Sequence, residues 1–338
     1  MIGIMRTRVQ NLRVFNRSIA ILRAKRSQPP DCIELLPRFG GDGRGFLTNL
    51  PVIAHMPGTI HPESQRAAVD KRPGATQMIT GIDHIVIMTS DLETAASEWG
   101  KLGFKVIPGG KHPRGTHNAL IAFEDGSYLE LIAFWEPDYD EHKWHKFKGS
   151  GIGLIDHALG SSDLAREVVE IGERGVRYDG PNPGARSRPD GVELAWRTAQ
   201  PADIDDHRLP FLIDDVSDRS LRVPSGEDAV HENGVRGIDT LQIVVGDLGT
   251  AASEYSRVVD GDVDDEAAAL SIGEPSSSVI LMAGDHRIEI HQPSEHGAAA
   301  QRLNGHGGGP YAVRFFGDRP FEAAPEDLTG ARISCVRR

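Results

Sequence analysis

The chain has 338 residues, of which 39% are apolar and 25% charged, a balance that suits a globular protein with room for two domains of ordinary size. A formal net charge of −12 argues against non-specific nucleic-acid binding by the chain as a whole. Only two cysteines, Cys32 and Cys335, are present, which excludes a disulfide framework and a cysteine-based zinc site and fits a reducing, cytoplasmic setting. No apolar run reaches the roughly 18–20 residues that a membrane span needs.

Residues 1–77 differ from the rest. Seven basic residues, from Arg6 to Arg26, precede the first acidic one, Asp31. Such a start is either a targeting segment or a poorly ordered extension. Prolines and paired glycines (Pro29-Pro30, Gly40-Gly41, Pro51, Pro57, Pro73) break any regular period, which favours the extension.

From Met78 the pattern is regular. Ile82–Met88 reads as a strand buried on both faces, with His84 within it. Ser90 and Glu93 have capping-box spacing, and Leu92, Ala95, Ala96, Trp99 and Leu102 then share one helical face that Gly103 ends. Lys105–Ile107 and a Pro-Gly-Gly turn lead to strands at Asn118–Phe123 and Tyr128–Phe134, joined by the tight turn Glu124-Asp125-Gly126. The order is βαβββ.

Gly237-Ile238-Asp239, Asp247-Leu248 and Thr250–Glu254 repeat Gly81-Ile82-Asp83, Asp91-Leu92 and Thr94–Glu98 at a constant offset of 156, which marks a duplication. A fainter copy lies at an offset of about 73, where Asp156-His157 matches Asp83-His84. Its helix carries Leu164, Val168 and Ile171 on one face, and its later strands fall at Val192–Thr198 and Leu209–Ile213. A shortened fourth copy has strands at Tyr311–Phe316 and Ala331–Val336. The polar, acidic stretch between modules two and three predicts a linker at 216–234. Each βαβββ unit leaves one sheet face to bury, so units should pair (78–215 and 235–338) into half-open barrels, with a cavity inside the pair. The fold class expected is α+β.

These repeats, with HPRGTHNALIAFEDGSYLELIAF, RPDGVELAWR and RLPFLIDD, resemble the glyoxalase-like domain group of the vicinal oxygen chelate superfamily. The likeness is strong over about residues 79–215 and weak over 235–338. In metal-dependent relatives of that fold, ligands sit on the first and last strands of each module. Carried over, the positions are His84, Glu130 and His157, and the fourth falls on Phe211, which cannot ligate. Two histidines and a carboxylate form a facial triad suited to a divalent metal such as Fe, Mn, Zn, Ni or Co. In the second pair the positions hold Thr240, Glu289 and Arg314, which do not make a metal site.

His84 taken alone reads more readily as a core histidine hydrogen-bonded to backbone than as a ligand. The recurrence of Asp-His in module two, and a carboxylate between Leu129 and Leu131, favour ligation. Thr116, His117 and Asn118 form a second cluster, in which His117 is either an acid/base group or part of a polar loop-to-strand junction. Arg114 is a candidate for holding an anionic substrate group, against a plain surface role. Trp196 and Phe211 are expected to line the cavity, and His112, in a turn before proline, to be exposed. The resemblance implies a metal-dependent lyase, isomerase or dioxygenase acting on a small oxygen-chelating molecule, in a monomer or homodimer. Its competitor is a protein that binds such a molecule without chemistry. Neither nucleic acid nor membrane is an expected partner.

Overall fold

In the computed structural model Asp70–Arg338 form one compact unit. The structure describes residues 78–338, except 137–140, 152, 204–206, 266–267, 271–272, 324–327 and 329. The N-terminal extension expected over residues 1–77 therefore lies outside the described residues.

Module one comprises β1 (Ile79–Met88), α1 (Leu92–Lys101), β2 (Ile107–Lys111), β3 (Thr116–Ala122) and β4 (Tyr128–Phe134). Module two comprises β5 (Leu154–Ser161), α2 (Leu164–Glu173), β6 (Tyr178–Ser187), β7 (Glu193–Pro201) and β8 (Phe211–Asp215). The expected α+β fold of paired modules is present, and the first pair goes further than half-open. Its strands close in the order β1-β4-β3-β2-β6-β7-β8-β5. One seam is the antiparallel β1–β5 pairing, and the other is a single contact, Lys111 against Ser187.

Two local expectations change. The Pro-Gly-Gly turn is part of β2 itself, because Gly109 lets that strand pass close to β3. A Cβ on Gly109 would come within 2.0 Å of Asn118 Oδ1. The helix cap is Asp91 rather than Ser90, its carboxylate accepting the Thr94 N–H at 2.7 Å. Asp163 caps α2 through Arg166 N–H in the same way.

β1 shows why a fully apolar strand suits this place. Ile85 and Ile87 face outward into the core that holds Trp99 of α1, while Val86 and Met88 face the barrel interior with Phe211 and Ile213. Both faces are covered, so alternation of polar and apolar residues is lost.

The second pair follows: α3 (Arg219–Arg222) lies in the linker, then β9 (Val235–Val244), α4 (Leu248–Val259), β10 (Ser276–Ala283), β11 (His286–Pro293), α5 (Ala298–His306), β12 (Gly309–Gly317), β13 (Phe321–Ala323) and β14 (Arg332–Arg337). Asp247 repeats the aspartate cap on Thr250 N–H. These strands make an open six-stranded sheet, β10-β11-β9-β12-β14-β13. An isolated bridge, Asp264 to Ile280, stands beside β10 where module one has its extra strand. One apolar core runs through both pairs, from Ile85 and Trp99 to Tyr255, Ile288 and Phe315. None of the described helices is long and apolar enough to cross a membrane.

Candidate functional site

The barrel encloses a cavity of about 400 Å³. His84, Arg114, Thr116, Asn118, Glu130, Trp196 and Phe211 all line it, as their strand positions suggest. His117 and His157 do not, and each misses for a reason of strand phase.

In β3, side chains alternate, so Thr116, Asn118 and Leu120 face inward and His117 between them faces out. His117 is half-buried on that outer side. Its pKa is lowered by partial burial and by nearby Lys111.

His157 sits on the wrong face because module two is one residue shorter between strand and helix. Seven positions separate His84 from its helix cap Asp91, but six separate His157 from Asp163. Counted from the cap, the counterpart of His84 is Asp156. A one-residue slip inverts every side chain on a strand. In the β1–β5 ladder Val86 pairs with Asp156, Ile85 with His157 and His84 with Ala158, so His157 faces out with Ile85. It is fully buried, and its Nε2 lies 2.7 Å from the Tyr255 hydroxyl of α4. That hydroxyl donates to Arg208 carbonyl oxygen at 2.6 Å, so it accepts from the Nε2–H. Burial pushes the His157 pKa down to about 4.

Inside the cavity, module one builds a short chain of polar groups. Behind it, Asp83 lies mid-way along β1, where Arg222 of α3 donates to it twice, at 2.8 and 2.9 Å, with Arg219 beside it. Burial acts to raise the Asp83 pKa, but Arg222 and Arg219 hold it well below the usual carboxylate range. The ionised Asp83 accepts from His84 Nδ1 at 2.7 Å, which fixes the proton on that nitrogen. The Tyr128 ring stacks on the imidazole at 4.6 Å, and Phe211 meets it edge-on at 5.2 Å. In the neutral ring His84 Nε2 is then an acceptor, 3.6 Å from Glu130 Oε2. Asn118 Nδ2 donates to Glu130 Oε1 at 2.7 Å.

Several lining residues carry no module motif. His112, expected to be exposed, is turned inward. Its Nδ1 meets Thr116 Oγ1 at 2.9 Å, and its Nε2 stands 4.0 Å from Glu130 Oε1. Burial lowers its pKa. The segment after module one contributes Glu141, His142, Lys143 and Trp144. His142 is pushed down to about 3 by burial and by Arg114 and Lys143. Arg186 of β6 is buried and spends its hydrogen bonds on the carbonyls of Gly109 and Arg222. The only sequence signal for these residues was the run of histidine, lysine and tryptophan at 142–146, which belongs to no repeat.

The facial triad expected here does not assemble. His84 and Glu130 are adjacent and suit two ligand places, but His157 points into the outer core. Among the described residues, no group of three or more histidine, cysteine, aspartate or glutamate side chains is close enough to hold a metal ion. The donor set therefore does not fit the metal that the resemblance implies.

In the second pair, Glu289 occupies the place of Glu130. Gln242 Nε2 at 2.7 Å, Arg287 Nε at 2.8 Å and Arg314 Nη2 at 3.1 Å all donate to it, with His291 Nε2 at 3.5 Å. Burial opposes ionisation, but His291, Gln242 and Arg314 bring its pKa down to about 2. Thr240 and Arg314 hydrogen-bond each other at 2.6 Å. Thr240 in turn donates to Asp239 at 2.7 Å, so the polar groups of this pair are tied to one another.

Paired βαβββ modules around an internal cavity define a protein of the vicinal oxygen chelate superfamily. Within it, the model of the glyoxalase-like domain matches residues 82–259, more than half of the sequence, and the chain belongs to that family. A hypothetical protein from Staphylococcus aureus, known as a crystal structure, is similar over 76% of this chain and 99% of its own, at 17% identity and a TM-score of 0.59. A mutant 4-hydroxymandelate synthase from Streptomyces coelicolor is similar over 72% of each chain, at 15% identity and a TM-score of 0.49. A xylose isomerase-like TIM barrel/4-hydroxyphenylpyruvate dioxygenase fusion protein is similar over 74% of this chain and 39% of its own, at 18% identity and a TM-score of 0.46. With scores below 0.5, the last two add nothing to the fold assignment. No curated protein matches the sequence.

Proposed function

We propose that the first barrel is the active site of an isomerase- or lyase-type enzyme that moves a proton on a small, oxygen-bearing, anionic molecule. The observation that carries this reading is the facing pair His84 Nε2 and Glu130 Oε2. Asp83 holds one imidazole proton on the far nitrogen, so with the ring neutral two acceptors face each other 3.6 Å apart. Such a pair calls for a proton or another electrophile. Glu130 Oε2 serves as the base that takes a proton from carbon next to a carbonyl, and His84 Nε2 passes it on. Asn118 holds the other carboxylate oxygen and so aims the base. Trp196 and Phe211 provide an apolar wall, and Arg114, at the mouth, attracts the anion. Thr116 orients His112. No step is routed through a metal ion, because the three expected ligands do not converge.

Proton NMR in D2O tests the proposal, using a panel of 2-oxo acids and 2-hydroxy ketones. The expected result is exchange of the hydrogens beside the carbonyl, unchanged by chelator and at least 100-fold slower in E130Q and H84A. Exchange that requires added divalent metal overturns the metal-free mechanism. Molecules that bind but never exchange replace the enzyme with a sequestering protein of the same fold.

A further inference from the structure

The segment at 141–147 belongs to neither module, yet it places a cation in the barrel. Lys143 Nζ lies 2.9 Å from Asp156 Oδ2 and 2.6 Å from Gln200 Oε1. It stands over two aromatic faces, 4.2 Å from the Phe211 centroid and 4.9 Å from that of Trp144. Trp144 fastens the segment, its Nε1 donating to the same Asp156 oxygen at 2.7 Å, and Phe147, three positions on, is buried.

The partners of this ammonium are the informative part. Asp156 is the module-two counterpart of His84 when both strands are counted from their helix caps. Phe211 is the place where the family resemblance puts a fourth ligand. Lys143 thus lies against both module-two positions that would face a metal, opposite His84 and Glu130 of module one. An ammonium has three N–H donors. Two go to Asp156 and Gln200, and the third has no partner among the described residues, although Lys143 lines the cavity. A pair serving only to hold the fold would not need to leave a donor on the cavity wall. An ammonium is a compact point charge, and beside aromatic walls its pull on an anionic oxygen is stronger than in water.

We infer that Lys143 is the electrophilic group of this cavity, a built-in cation whose free N–H binds the carboxylate or enolate oxygen of the ligand in place of a metal ion. This rests on the reading above that the cavity takes a small oxygen-bearing anion, but not on the proton transfer. The ligand class that fits is an aromatic or other planar monoanion, its ring against Phe211 and Trp196 and its charged end on Lys143.

The test is calorimetric titration of the full chain with benzoate and with benzamide, its neutral counterpart, in the presence of chelator. Benzoate is expected to bind the wild type, at least tenfold more weakly to K143M, and with partial recovery in K143R. Benzamide affinity should change less than twofold. Because K143M takes the cation away from the buried Asp156 carboxylate and leaves it only the Trp144, His207 and His157 N–H partners, the double variant K143M/D156N is titrated as well, with circular dichroism confirming its fold. Benzoate affinity within twofold of wild type in the double variant overturns the inference. So does binding that needs a divalent ion, or none in the millimolar range. E130Q separates the two claims: loss of exchange with benzoate binding kept supports both, and retained exchange overturns the catalytic reading while leaving Lys143 to be judged by benzoate alone.

Discussion

Glu130 and Glu289 occupy the same place in two copies of one module, and their surroundings differ in how charge is balanced. Glu289 has two guanidinium groups and a glutamine amide on its carboxylate, all supplied by the chain. Glu130 has one amide, from Asn118, and two histidines at 3.6 and 4.0 Å. The second pair has closed its electrostatics internally and keeps an open six-stranded sheet. The first keeps a closed barrel, an acceptor pair and room for a ligand. A buried carboxylate is stable only with compensation, so whatever it lacks from the chain indicates what the ligand must bring.

The sharpest way to break this comparison is to neutralise both glutamates. E130Q should slow proton exchange by two orders of magnitude or more, whereas E289Q should leave it within twofold and lower stability by about 2 kcal/mol, since Arg314 and Arg287 keep partial access to water. Equal losses of activity in the two variants would mean that the pairs do not have separate roles.

Arg222→Met should come next. It removes the bidentate clamp from Asp83, which is buried beneath His84, and urea unfolding should register a loss of about 3 kcal/mol. The corresponding aspartate of the second pair, Asp239, is held by Arg314 and Arg338. Arg338 is more exposed, so R338M should cost much less.

A third effect reads the misplaced histidine. Burial holds His157 at about 4 in the folded chain, against 6.5 when unfolded. Between those values the unfolded chain binds a proton that the folded chain does not. Its contribution is therefore full above pH 6.5 and is lost as pH falls toward 4, on the order of 3 kcal/mol. His142 acts in an overlapping window, so the measurement is the difference in slope of stability against pH between wild type and H157Q. Identical slopes would place His157 in contact with water.

The smallest effect is expected from His117→Ala, which should change exchange less than twofold because the side chain lies on the outer face of β3. A tenfold loss would return it to the site.

Much of the fold was legible. The offset of 156, the doubly apolar first strands and the repeated Asp-Leu pairs gave the modules and their pairing. β6 was missed because Tyr178–Ser187 contains two prolines and two glycines, a composition that reads as a loop. It serves as a strand because it pairs along its length with β7, and it closes one side of the barrel through the single pair Lys111–Ser187.

The site was legible where strand phase and sequence motif agreed. His84, Thr116, Asn118, Glu130, Trp196 and Phe211 alternate correctly and face one cavity. His157 failed because the Asp-His dipeptide repeats at an offset of 73 while the helix cap repeats at 72, and the cap, anchored by backbone hydrogen bonds, sets the phase.

The amino-acid order alone determined the repeated modules, the loss of ligands in the second pair and the two module-one residues that opened the question. Those are local properties of period, capping and residue type. Only tertiary structure decided that Asp156 rather than His157 faces inward, that His112 turns in, and that Lys143 crosses from an unclassified segment to stand opposite Glu130's half of the barrel. The first turns on which of two competing local registers the strand follows, and the other two on what a distant segment packs against, which residue type and period leave open.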